Sequence, residues 1–174
     1  MKAKETTING MFQAMSLCDA PTNEIKKATA VSEWKNKKNY VDERQILCWP
    51  KVALANRQFH LSTQLAGLMA KTDAKYDDIP YKSPSNESLQ ADSAVLNDGT
   101  EIYLGPDEAA YLNGQGVVTA LNFIGGWRAW GNRTTAYPSN TDVKDSFIPV
   151  RRMFNWVSNT LITSFWSKID DPGN

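Results

Sequence analysis

The chain offers few side chains that could carry out acid–base chemistry. His60 is the only histidine among its 174 residues. A Ser-His-Asp triad would need this histidine beside a serine on a sharp turn of the form Gly-x-Ser-x-Gly. No such string occurs in the sequence. We therefore interpret His60 as a structural or surface residue, and we expect no enzyme activity and no catalytic residue.

The candidate metal ligands are three carboxylates and two thiols. Asp73, Asp77 and Asp78 lack the glycine and the twelfth-position glutamate of an EF-hand calcium loop, so we expect a solvated loop there. Cys18 and Cys48, even with the single histidine, are too few for a four-ligand zinc site. The sequence predicts no bound metal and no cofactor, and it favours two buried thiols over a disulfide.

Two patterns suggest ligand binding at first sight. Gly114-Gln115-Gly116 lacks the third glycine of a dinucleotide-binding loop and precedes a predicted strand rather than a helix. Arginines occur near tryptophans in the last third of the chain, at Arg128, Arg133, Arg151 and Arg152. The formal net charge is zero and the pI is near 6.6, whereas phosphate binding needs clustered positive charge. We expect these arginines to form ion pairs with carboxylates of this chain or of a neighbour, and we expect no nucleic-acid partner.

The composition is that of an ordinary globular domain. The hydrophobic fraction is 41% and the charged fraction 22%, and the length suffices for one domain with a core. No apolar run approaches the roughly 18–20 residues that cross a bilayer. Residues 1–7 lack the apolar core of a signal peptide. These features predict a protein made and kept in a cytoplasm, with no membrane partner.

The N-terminal part predicts a βαβ unit. Apolar runs at residues 14–18 and 45–49 flank a helix from about residue 24 to residue 38, which Thr22 or Asn23 could cap. A strand, a helix and a strand over some 35 residues predict two parallel, adjacent strands. Cys18 and Cys48 would then be near neighbours.

A second set of elements follows the βαβ unit. The sequence predicts a hairpin over residues 51–61 that turns near Ala55-Asn56, and then a helix over about 62–71. Residues 72–86 predict a long surface loop. The apolar residues of that helix lie on one face: Leu61, Leu65, Leu68 and Met69.

The next elements lead into the C-terminal region. Asn97-Asp98-Gly99 predicts a hairpin between the runs 94–96 and 100–104, and residues 105–114 predict a short helix. We assign residues 1–113 to an α/β core portion and residues 114–174 to a hairpin-and-helix region, the two forming one compact domain.

The region from residue 114 onwards organises the rest of the chain. Two apolar runs flank Gly125-Gly126, which predicts a hairpin across residues 114–134. A loop at residues 136–141 and a short run at 147–150 precede an apolar helix over about 151–168.

The terminal helix is apolar nearly all round. At about 100° per residue, one arc forms a predicted core-facing stripe of Met153, Phe154, Val157, Leu161 and Phe165. Trp156, Ile162 and Trp166 lie outside that arc. We predict that these three form a docking surface, covered in a complete subunit by its own further C-terminal region. Trp166→Ser would then destabilise the complete subunit by a few kcal/mol and hardly affect this chain.

The same region carries a resemblance to a known family. The segments Leu121-Asn122-Phe123-Ile124-Gly125-Gly126-Trp127-Arg128-Ala129-Trp130-Gly131-Asn132-Arg133-Thr134 and 145–156 resemble the tail sheath proteins of contractile-tailed bacteriophages and phage-tail-like bacteriocins. The resemblance extends back through Cys48-Trp49-Pro50-Lys51-Val52, through 60–70 and through Pro84-Ser85-Asn86.

The resemblance implies a fold and a structural role. The fold class would be α/β, with a mixed α+β arrangement as the alternative, as part of the subtilisin-like sheath core. Sheath subunits polymerise around a tail tube and contract to drive the tube through the host envelope. The implied partners are other sheath subunits, the tube and the baseplate, in a virion tail assembled in the host cytoplasm. Family members carry terminal arms that join neighbours, and without such arms we expect this chain alone not to form tubes. An α/β hydrolase-like enzyme is the alternative of a different class.

Overall fold

The computed structural model describes residues 7–8 and 12–169 of the chain. Within these residues, the two longer sheets have four strands each. The main sheet has the order β10-β9-β4-β3 and is formed by β3 (Ser16–Asp19), β4 (Gln45–Cys48), β9 (Val117–Phe123) and β10 (Gly126–Trp130). The second sheet has the order β6-β5-β7-β8 and is formed by β5 (Lys51–Leu54), β6 (Arg57–Phe59), β7 (Ser93–Val95) and β8 (Glu101–Ile102). A small N-terminal hairpin consists of β1 (Thr7–Ile8) and β2 (Phe12–Gln13).

The helices connect and cover these sheets. They are α1 (Ala28–Lys37), α2 (Leu61–Asp73), α3 (Pro106–Gly114), α4 (Val143–Ser146) and α5 (Ile148–Phe165), and a 3₁₀ turn (Trp166–Lys168) follows α5. None of the described helices is long and apolar enough to cross a membrane. The predicted α/β class, with mixed helices and strands, is confirmed.

The predicted βαβ unit is present. Strands β3 and β4 are parallel and adjacent, and the register places Asp19 beside Cys48. The predicted helix cap was wrong, because α1 begins at Ala28 and its N-cap residue, Lys27, makes no side-chain capping bond. Thr22 and Asn23 instead lie in a turn that is closed by main-chain bonds from residues 24 and 25 to the Pro21 carbonyl.

The side chains of the central strand, β4, point alternately into two hydrophobic cores, one on each face of the sheet. Strand β4 lies between β3 and β9, and all four of its residues are buried. Ile46 and Cys48 pack against α2, whereas Leu47 packs on the opposite side with residues of α1 and α3. Successive side chains of a strand point to opposite faces, so this sheet is covered by helices on both faces.

The predicted hairpins form, with turns near the predicted positions. Gly126 pairs with Phe123, so the β9–β10 turn consists of Ile124 and Gly125, one residue earlier than the Gly-Gly pair. Gly125 and Gly126 both have positive φ, as the glycine pattern indicates. The β5–β6 turn uses Ala55 and Asn56, both with positive φ, which is the geometry of a type I′ turn.

The last helix begins earlier than predicted. Helix α5 starts at Ile148 with Pro149 in its first turn, so residues 148–150 form the first helical turn rather than a separate run. Proline suits that position because its missing N–H would be unpaired there in any case and its φ matches a helix. Phe147 remains extended and forms an isolated bridge with Arg133.

Candidate interaction surface

The N-terminal half of α5 is held to the domain by ion pairs. Both terminal guanidinium nitrogens of Arg152 contact the carboxylate of Asp73 at the end of α2, and Nη1 lies 3.1 Å from Oδ1. Arg151 pairs with Asp145 and is itself buried, and burial lowers the pKa of its guanidinium. The prediction of ion-paired arginines is confirmed for these two residues.

The other two arginines have no carboxylate partner among the described residues, and their pairing with a neighbouring subunit stays a prediction. Arg128 donates from Nη1 to the Asn86 carbonyl at 3.1 Å. Arg133 stacks over the Phe147 ring, 3.7 Å from its centre, and donates to the Ser146 hydroxyl. Their partners in the described part of the chain are a carbonyl for Arg128 and a hydroxyl and aromatic rings for Arg133.

The three aspartates that were predicted to lie in a solvated loop have different environments. Asp77 and Asp78 are exposed, as expected of a solvated loop. Asp73 is not part of that loop: it ends α2, and its side chain is 15% exposed against Arg152. The prediction was wrong for Asp73 because spacing along the chain does not show that a distant arginine reaches it.

A side-chain amide of α5 holds the N-terminal hairpin. Asn159 accepts a bond from the Gln13 main-chain N–H at 2.8 Å and donates to the Gln13 carbonyl at 2.9 Å. One amide thus satisfies both main-chain groups of a single extended residue. This contact was not predicted from the sequence, although a polar residue at helical spacing inside an apolar segment was a usable signal.

The apolar stripe of α5 faces outward. Phe154, Val157, Leu161 and Phe165 are 42–60% exposed, whereas Arg151 and Asn155 face the domain. The predicted core-facing stripe was therefore wrong. Arg151, Arg152 and Asn159 have specific partners within the domain, so the helix turns its polar side inward and its apolar arc outward. Met153, the remaining member of the predicted stripe, is half-buried.

The structure places the three predicted docking residues beside two grooves. Ile162 and Trp166 line a groove of about 360 Å³ with Phe12. Trp156 lines a cavity of about 380 Å³ between α2, α5 and the segment from Gln13 to Leu17. Trp156 and Trp166 are 39% and 58% exposed and Ile162 is half-buried. Their role in docking stays a prediction.

The single histidine, His60, lies close to Asp19 and Ser62, and this group of three has a structural role at the start of α2. Asp19 accepts bonds from both the N–H, at 3.0 Å, and the hydroxyl of Ser62, and His60 Nδ1 lies 3.2 Å from the same carboxylate. In a catalytic triad the histidine lies between the serine and the aspartate. Here the aspartate lies between the other two and caps the start of α2.

Both cysteines are thiols. Burial, and then the nearby charge of Asp19, raise the pKa of the Cys48 thiol. Cys18 Sγ donates to the Ile46 carbonyl at 3.4 Å. In the described part of the chain, no group of three or more potential ligands could hold a metal ion. Thiol counting under denaturing, non-reducing conditions should detect both cysteines, and finding neither would indicate a disulfide.

Comparisons with known proteins identify what this chain is similar to. No protein-family model matches the chain. The chain is 33% identical over 142 residues to a tail sheath protein of Burkholderia phage BcepMu, an alignment that covers 77% of this chain and 29% of that protein. The chain thus spans less than a third of that relative.

Solved structures agree with this match. The chain superposes with a TM-score of 0.72 on the PVC sheath complex of an extracellular contractile injection system in its contracted state, at 20% identity over 99% of this chain and 46% of that one. The contracted helical sheath of the anti-feeding prophage gives a TM-score of 0.65 at 21% identity, over 92% of this chain and 40% of that one.

The fold is therefore that of part of a contractile sheath subunit. The sequence match to a phage tail sheath protein agrees with these structural matches. The predicted resemblance to tail sheath proteins is confirmed.

Proposed function

We propose that this chain is part of a structural subunit of a contractile tail sheath. The subunit polymerises around a tail tube and contracts to drive that tube through a cell envelope. The observation that carries the proposal is the match to the phage tail sheath protein over 77% of the chain. The sheath of a phage-tail-like bacteriocin or another injection machine is the alternative, which the two injection-system folds support.

The physical requirements of such a sheath do not include a catalytic site. A helical polymer needs head-to-tail interfaces that do not close into a ring. Contraction is then a rigid-body change between two packings of those interfaces, separated by a kinetic barrier. The arrangement of His60, Ser62 and Asp19 supports a capping role, and we propose that the chain has no hydrolase or metal-dependent activity.

The partners follow from the same proposal. They are other sheath subunits, the tube and the baseplate, and neither nucleic acid nor membrane is among them. The particle is a virion tail or a tail-like particle assembled in a host cytoplasm. A net charge of zero supports the exclusion of nucleic acid as the main partner.

The outward side of α5 is the surface that the assembled subunit would cover. Residues 153–167 carry no charged side chain, and four large apolar residues of this segment are half exposed. Contiguous exposed apolar surface marks an interaction site. We propose that the remainder of a complete sheath subunit covers this side, together with the predicted docking residues Trp156, Ile162 and Trp166. The greater length of the relatives supports this assignment.

Antibody labelling of native particles tests the proposed function. Antibodies raised against this chain would be applied to particles pelleted from a lysate of the organism that encodes it, and gold labels would be viewed by electron microscopy. We expect gold along the whole length of tail-like tubes, in extended and contracted particles alike. Labelling confined to a tube end, or chain that stays in the supernatant while unlabelled tails pellet, would contradict the proposal.

A further inference from the structure

The cavity between α2 and α5 contains a buried amide without a partner. Asn155 lines the cavity and is only 5% exposed. Neither its Oδ1 nor its Nδ2 has a hydrogen-bond partner among the described residues. Leaving a buried donor and a buried acceptor unpaired destabilises the folded state, so an unpaired amide at this depth calls for a specific reason.

The neighbouring turn of the same helix shows what such an amide can bind. Asn155 and Asn159 are four residues apart and lie on one face of α5. Asn159 binds both the N–H and the carbonyl of Gln13, an extended residue. An asparagine amide offers one acceptor and one donor side, which complements the two main-chain groups of one extended residue.

The remaining lining of the cavity fits a peptide with small or flexible apolar side chains. Most of its residues are apolar, including Met15, Met69 and Trp156. The two charged side chains in the wall, Asp73 and Arg152, neutralise each other. The volume of about 380 Å³ lies in the range of roughly 300–1,000 Å³ that is usual for ligand pockets. Nothing in the wall is left to bind a charged ligand.

We propose that this cavity binds an extended apolar peptide segment whose main chain is recognised by Asn155. The site is distinct from the outward stripe of α5, which lies on the other side of the helix. The unpaired amide is retained because binding uses it, in the way that binding sites trade stability for function. The inference does not depend on the proposed sheath role.

Two isosteric variants separate a binding residue from a structural one. Asn155→Leu should leave the denaturation midpoint of the free chain unchanged or raise it, because the amide it removes has no partner. Asn159→Leu is the matched control and should lower the midpoint, because it removes two bonds to Gln13. If Asn155→Leu lowers the midpoint as much as Asn159→Leu does, then Asn155 is a structural partner and the proposal fails.

Binding is measured with a blocked tetrapeptide, acetyl-Ala-Met-Ala-Leu-amide, followed by NMR of the indole N–H of Trp156, which lines the cavity and is present in the wild type and in the variant. We expect a saturable shift of that resonance at millimolar peptide. Binding should be lost in Asn155→Leu and weakened about tenfold when central peptide bonds are replaced by esters, which lack the N–H. No shift at millimolar peptide, or equal binding by Asn155→Leu or by the ester analogue, would overturn the proposal.

Discussion

Helices α2 and α5 carry similar apolar stripes and place them in opposite environments. The stripe of α2, from Leu61 to Met69, is buried against the main sheet. The stripe of α5, from Phe154 to Phe165, is turned away from the domain. Helix α2 is held mainly by apolar contacts, whereas α5 buries Ile148 in the core and is otherwise held by ion pairs and an amide. Apolar periodicity therefore predicts that one face of a helix will be buried. The contacts of the polar residues determine whether that face is turned towards its own domain or away from it.

The largest contrast is expected between two leucines, one in each stripe. Leu65→Ala should reduce the free energy of unfolding by about 2–5 kcal/mol, because it opens a cavity in a fully buried position. Leu161→Ala is the matched control and should change it by less than about 0.5 kcal/mol. Chemical denaturation measures both values. Equal losses would show that the α5 stripe belongs to the core of this chain.

The attachment of α5 should depend on its ion pair with α2. Arg152→Met leaves the largely buried Asp73 carboxylate without its partner, and we expect a loss on the order of 2 kcal/mol. Adding Asp73→Asn should recover part of that loss, since the unpaired charge is then gone. If the single variant is as stable as the wild type, the helix is not held by this pair.

A third test measures how stability depends on pH through Lys35, which lies in α1 on the opposite face of the main sheet from α2. Burial lowers the pKa of Lys35, in α1, to about 8, where its ammonium donates to the carbonyls of Gln115 and Tyr137. The unfolded chain then binds more protons than the folded chain between pH 8 and about 10.5, so stability rises with pH there.

The measurable window for this effect is pH 7 to 9. As the pH approaches 9.0, the ordinary pKa of a thiol, the raised pKa of Cys48 begins to act in the opposite direction, because the unfolded chain then loses a proton that the folded state retains. We expect a gain of about 1 kcal/mol between pH 7 and 9 in the wild type, and a flatter profile in Lys35→Met. Arg152→Met should keep the same slope as the wild type. A wild-type profile that falls over this window would refute the assignment to Lys35.

The smallest effect is expected at the end of α5. Trp166 is 58% exposed, so Trp166→Ser should change the stability of this chain by less than about 0.5 kcal/mol. A denaturant midpoint for the variant provides the test. A loss comparable to that of Leu65→Ala would mean that Trp166 packs into the core.

The fold was predictable where local signals agree with one another. The βαβ unit, three hairpin turns and the buried face of α2 all follow from apolar runs, from turn residues such as Asn56 and Gly99, and from helical spacing. The cap of α1 was missed because the main chain at Pro21 uses Thr22 and Asn23 for a turn.

The environment of α5 could not be derived from its own sequence. Its orientation depends on Asp73, Asp145 and Gln13, which are 6 to 146 residues away along the chain from their partners. Helical spacing shows which residues share a face, but it does not identify these partners. The unpaired amide of Asn155 is a property of the packed structure alone, since nothing in its sequence context distinguishes it from the paired Asn159.

Hydroxyl-radical footprinting of α5 tests most directly whether its outward stripe is an assembly surface. Oxidation rates of Phe154, Leu161 and Phe165 would be measured by mass spectrometry in the isolated chain and in intact tail-like particles, with Leu65 as the protected reference. The proposed role predicts rapid oxidation of the stripe in the isolated chain and protection close to that of Leu65 in the particle. Equal oxidation of the stripe in both samples would contradict it.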